Sequence, residues 1–138
     1  MKKEFIEYLN SLLIKAARKG NKDTVELLLG NGADINAQDV YGRTALILAA
    51  WKGRTETAGL LISNGADVDI QDNDGWTALM RAACNGHTGT AGLLISNGAD
   101  VDIQGNNGWT ALIMATSSGR TETAELLISN GADVNAQD

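Results

Sequence analysis

A 33-residue period runs through this chain and restricts what it can fold into. The segment GRTALILAAWKGRTETAGLLISNGADVDIQD begins at Gly42. It returns from Gly75 as GWTALMRAACNGHTGTAGLLISNGADVDIQG and from Gly108 as GWTALIMATSSGRTETAELLISNGADVNAQD. A degenerate copy, LLIKAARKGNKDTVELLLGNGADINAQD, precedes them at residues 12–39. Self-similarity at this period marks stacked supersecondary units, each too small to bury its own apolar face. The chain therefore divides as one domain, 1–138, with an N-terminal capping repeat at 1–39 and further repeats at 40–72, 73–105 and 106–138.

Each unit reads as turn, helix, helix, loop. Thr44, Thr77 and Thr110 follow the turn and can accept from backbone amides as N-caps of a first helix. About two turns later Gly53, Gly86 or Gly119 ends that helix, because glycine enters the left-handed conformation cheaply. A second short helix over TAGLLIS or TAELLIS stops in the same way at Asn64-Gly65, Asn97-Gly98 and Asn130-Gly131. Helices of this length are marginal alone, since nucleation costs more than a few turns return. Stability must come from stacking between copies.

Aromatic residues make up only 4% of the chain and proline is absent, so Leu, Ile and Ala must fill the core. That suits thin helical layers. The net charge of -6 is uneven: residues 1–22 carry six basic side chains against Glu4 and Glu7, so the remainder is strongly acidic. An acidic body lacks the basic footprint that nucleic-acid or membrane-surface binding requires. The opening MKKEFIEYLNSLLI is interrupted by Glu4 and Glu7 and reads as an amphipathic helix, not a signal peptide. No run approaches the roughly 18 apolar residues of a membrane span. With Cys84 as the sole cysteine, no intrachain disulfide can form, and a reducing, cytoplasmic location is expected.

The copies differ mainly in the turn and the first helix. Leu46, Ala49 and Ala50 lie at i, i+3, i+4 and form the expected buried stripe. Leu48, Trp51 and Lys52 form a second, displaced stripe, matched by Arg81, Cys84 and Asn85 and by Met114, Ser117 and Ser118. In the first copy the same positions hold Lys15, Arg18 and Lys19. One wall of the stack thus runs from basic through aromatic and mixed to small and polar. The turn tips vary as well, at Val40, Tyr41 and Arg43, at Asn73, Asp74 and Trp76, and at Asn106, Asn107 and Trp109.

The opening Gly-x-Thr-x-Leu-x-x-Ala-Ala, the mid-repeat glycine, and Leu-Leu-x-x-x-Gly-Ala-Asp-Val-Asn/Asp together resemble the ankyrin repeat family over residues 12 to 138. The resemblance implies an all-α repeat solenoid, with stacked helix-turn-helix units and projecting β-hairpin-like turns. It further implies that hairpin tips and the concave first-helix face grip a partner protein. Carried onto this chain, the candidate contacts are Arg18, Lys19, Tyr41, Arg43, Leu48, Trp51, Lys52, Asp74, Trp76, Arg81, Cys84, Asn85, Asn107, Trp109, Met114, Ser117 and Ser118. Trp76 and Trp109 are candidate hot spots, because tryptophan is enriched among dominant interface residues; the competing reading packs them over neighbouring hairpins. His87 falls where the family places a structural histidine, and Cys84 reads as a small filler. The chain departs from the family at Ala45, Ala78 and Ala111, where the family has proline. Thr57-Ala58, Thr90-Ala91 and Thr123-Ala124 stand where it has Ile-Val.

Chemistry finds little support. If Gly75 were the glycine of a calcium loop, the first and last ligand positions would be Ile70 and Arg81, so the loop DVDIQDNDG is not an EF-hand. One His, one Cys and scattered Ser supply neither a nucleophile–base pair nor zinc ligands. The expectation is a non-enzymatic protein-binding module without cofactor or metal, a monomer more than a homo-oligomer, whose basic first copy suits a partner with an acidic patch. A self-associating or engineered scaffold with no natural partner is the competing class. It rests on the near-identity of the copies and on a chain that stops at NGADVNAQD without an added capping helix.

Overall fold

The structure is a computed structural model in which residues 2–135 are described. Eight helices follow in order: α1 Lys3–Lys19, α2 Lys22–Gly30, α3 Ala45–Trp51, α4 Thr55–Ser63, α5 Ala78–Cys84, α6 Thr88–Ser96, α7 Ala111–Ser117 and α8 Thr121–Ser129. Each pair packs on itself, α1 with α2 through α7 with α8. The first helices α1, α3, α5 and α7 then form one row and the second helices another. The core is a continuous seam of Leu, Ile, Met and Ala, including Leu13, Leu46, Leu79 and Leu112 of the first helices and Leu28, Leu61, Leu94 and Leu127 of the second. Burying each such leucine stabilises the stack by roughly 1.5–3 kcal/mol.

The caps form as read. Thr44, Thr77 and Thr110 accept from the amides of Ile47, Met80 and Ile113 at 3.1, 3.2 and 3.3 Å. Gly53 sits at φ 69, and a Cβ there would lie 2.7 Å from His87 Nδ1, so both conformation and crowding demand glycine. The second helices begin at Thr55, Thr88 and Thr121, two residues before the expected start. The reason is local: once Arg54 N has closed the first helix on Ala49 O at 2.8 Å, Arg54 O already accepts from Ala58 N, so no linker remains between the helices.

The threonines that thin the second helices have an inter-repeat use. Thr57, Thr90 and Thr123 are buried. The hydroxyl of Thr90 meets Thr55 and that of Thr123 meets Thr88, both at 2.7 Å. A buried hydroxyl is costly without a partner, and for Thr90 and Thr123 the neighbouring copy supplies it.

The tips are hairpin-like although no strand is assigned among the described residues. Asp39 N donates to Arg43 O, Asp72 N to Trp76 O and Gly105 N to Trp109 O at 2.8 to 2.9 Å. Successive tips are tied by Asn73 N to Tyr41 O and Asn106 N to Asp74 O, each 2.9 Å. The connecting loops form a parallel ladder, in which the side-chain oxygens of Asn36, Asp69 and Asp102 accept from Asp67 N, Asp100 N and Asp133 N of the next copy.

The end copies depart from this pattern. In the first, Asn10 of α1 accepts from Asp34 N at 2.7 Å, taking the place that a preceding loop would fill. In the last, Thr116 stands where Ala50 and Ala83 are buried. It is exposed and turns its hydroxyl onto Leu112 O and Ile113 O of its own helix, both at 3.0 Å. Asp34 N and the Thr116 hydroxyl thus find their partners within their own copies.

Candidate recognition surface

The displaced stripe needs correction. All six residues from Ala45 to Ala50 are buried, so Leu48, at 3% exposure, offers nothing to a partner. Met114, at 1%, is likewise interior. Each first helix is flanked by neighbouring first helices, its own second helix and its hairpin. With alanine at the contact positions these approach so closely that the adjacent stripe is covered too.

Arg81 occupies the same column as Leu48 and Met114, and its environment explains a charge there. Its Nη2 lies 2.6 Å from Asp72 Oδ2; the Arg81 side chain is 13% exposed and that of Asp72 2%. Its guanidinium lies 4.1 Å from the ring centroid of Trp76 and 4.4 Å from that of Trp51, so the two indoles flank it. Its Nε is buried without an acceptor. Asp72 in turn accepts from Asp74 N and Trp76 N at 2.9 and 3.0 Å, which fixes the tip that carries Trp76. Trp76 therefore sits in a polar loop because it covers a nearly dry ion pair, with stacking and cation–π attraction as its return.

Spacing within one copy does not single out Asp72, although comparison of the copies carries a signal for it. The tip residue is Asp39 in one copy, Asp72 in the next and Gly105 in the last. Asp39 pairs with Arg43 Nε at 2.9 Å, and Asp72 pairs with Arg81. Gly105 occurs where the two candidate arginine positions hold Trp109 and Met114. A tip carboxylate is present only where an arginine can neutralise it, as burial of charge requires.

The remaining candidates spread over one face. Tyr41 is 61% exposed and lies under Arg43 at 4.7 Å, while the Lys52 ammonium is 5.7 Å from the Trp51 ring. Arg18, Lys19 and Lys52 are exposed, as is Lys15 beside them. Toward the other end the surface turns neutral: Cys84 Sγ lies 3.7 Å from Ser118 Oγ, and Asn107, Ser117 and Ser118 are exposed. Trp109 is half-buried and Asp74 exposed. Asn85 and His87 are bound inward, both to Trp51 O, at 3.2 and 3.0 Å. His87 shares this task with Arg54 and Arg120, whose Nε atoms reach Arg18 O and Cys84 O, so its position serves the inter-repeat contact. Among the described residues no cluster of three or more His, Cys, Asp or Glu side chains is placed to hold a metal. No helix there is long and apolar enough to cross a membrane.

Paired helices stacked in register, with tips tied into a row beside them, define a helical repeat solenoid. A family model of three ankyrin repeats matches residues 4–72 and 55–138, and the chain belongs to the ankyrin repeat family. No curated protein matches it. Ankyrin repeats are generally protein–protein interaction modules and the family is typically non-enzymatic.

Proposed function

We propose that this protein binds an acidic partner protein through the tips and first-helix face of its first three repeats, without catalysis. The observation that carries this is a sign reversal: on a chain of net charge -6, Lys15, Arg18, Lys19 and Lys52 are exposed on one face beside Tyr41 and Trp51. Opposite charge on a partner would speed encounter and fix register, and the exposed Tyr41 and half-buried Trp51 would supply apolar area. Because Arg81, Asp72 and the tip hydrogen bonds already hold that surface, little entropy is lost on docking. The Asn10–Asp34 bond in the first copy and the inward-turned Thr116 hydroxyl in the last favour a monomer as the binding unit.

The test is capture from lysate at two salt concentrations, comparing the chain with a Lys15→Glu/Arg18→Glu/Lys19→Glu/Lys52→Glu variant of unchanged circular dichroism. Proteins retained by the first, lost by the second and released by salt support the reading. An identical captured set with both chains refutes it.

A further inference from the structure

The row of hairpin tips has an open edge. Each later tip donates a backbone amide to the one before it, Asn73 N to Tyr41 O and Asn106 N to Asp74 O, both 2.9 Å. Asn73 and Asn106 add their side-chain amides to Val40 O and Asn73 O at 3.0 and 2.8 Å. Val40 holds the equivalent position in the first tip. Its N–H has no partner among the described residues, and its side chain is 85% exposed.

Beside this edge lies a pocket of about 320 Å³ between α1 and residues 37–40, with Ile14, Ala37 and Val40 as its apolar lining. Its charged lining is Lys15, Glu7 and Asp39, of which Asp39 is neutralised by Arg43 at 2.9 Å, and Arg18 and Lys19 continue from Lys15 along α1. A complete repeat is not the occupant that fits. Asn10 already takes the loop position such a repeat would need, through its 2.7 Å bond to Asp34 N. An extended strand needs only what is vacant: one backbone donor, an apolar recess and a cationic end.

We infer that this edge and pocket receive an extended acidic peptide segment of the partner protein. A main-chain carbonyl of the segment accepts from Val40 N, continuing the tip-to-tip ladder. One apolar side chain enters the pocket, and carboxylates meet Lys15 and Arg18. This is strand addition reduced to one main-chain bond on a row of tips, with the side-chain pocket and the cationic end supplying the rest of the affinity and the specificity. The inference rests on the protein-binding reading above and names a subsite separate from the Trp51–Arg81–Trp76 surface.

The probe is the peptide acetyl-Val-Leu-Val-Glu-Glu-amide, titrated into the ¹⁵N-labelled full chain. Amide shifts are expected at Ile14, Ala37 and Val40. Val40→Pro removes the one donor at the second position of the Asp39–Gly42 turn, where proline is favoured, so the fold is kept. It should weaken the probe roughly three- to tenfold, the worth of one net hydrogen bond. Ser11→Trp, an exposed α1 position lining the pocket, should abolish binding, and a Lys-Lys version of the probe should bind more weakly than the Glu-Glu one. Undiminished affinity in both protein variants, shifts confined to Tyr41, Trp51 and Trp76, or no shifts at millimolar probe would each overturn the inference. None of these would touch the wider reading, which stands or falls by the charge-reversal capture.

Discussion

Arg81 and Asp72 offer the sharpest test of how this stack is held. Their contact is 2.6 Å, with side-chain exposures of 13% and 2%. Arg81→Met places in this copy the residue found at Met114 and leaves the Asp72 carboxylate without its cation. Asp72→Asn keeps Oδ1 as acceptor for Asp74 N and Trp76 N, and replaces the charged Oδ2 that Arg81 meets with an amide donor. Removing one partner of a buried pair costs about 3–5 kcal/mol. Arg81 keeps some solvent and has an unpaired Nε, so each single variant is placed at the lower limit, about 3 kcal/mol. For 138 residues the melting entropy is about 0.29 kcal/mol/K, which makes that a fall in Tm of roughly 10 °C. The double variant has neither charge to strand and should lose clearly less than the sum, with a coupling energy of about 2 kcal/mol or more. Urea unfolding followed by tryptophan fluorescence measures all three. Single effects that simply add would refute the account of Trp76 as the cover of a coupled ion pair.

Three further outcomes follow from the backbone. Ala111→Pro should raise stability by about 0.4–1 kcal/mol, because Thr110 is already extended (φ -101, ψ 171) and Ala111 is the first helical residue; a lower Tm would displace the helix start. Val40→Pro should be neutral or stabilising, whereas Asn73→Pro at the equivalent turn position loses its bonds to Tyr41 O and Val40 O and should cost about 1–3 kcal/mol by chemical denaturation. Gly53→Ala combines φ 69 with a Cβ 2.7 Å from His87 Nδ1, and a loss of about 2 kcal/mol or more in melting experiments is expected; no loss would mean that the helix-to-helix junction relaxes freely.

The sequence by itself determined the architecture. The 33-residue period, the N-capping threonines and the mid-repeat glycines are local or periodic signals, and each acts through its own few backbone bonds. Helix phase also placed Leu46, Ala49 and Ala50 in the core, because one stripe must face the stack. Phase failed at Leu48 and Met114, since a periodicity argument sees a helix with one buried side, while these helices are enclosed on several. The role of Trp76 was likewise undecidable from spacing: its cover of Arg81 depends on Asp72 in its own tip and on Trp51 from the copy before. The open edge at Val40 is also a tertiary fact, because only the stacking of Asn73 on Tyr41 and of Asn106 on Asp74 shows what that amide lacks. Local chemistry made each repeat; contacts across the 33-residue spacing decided which of its side chains remain available to a partner.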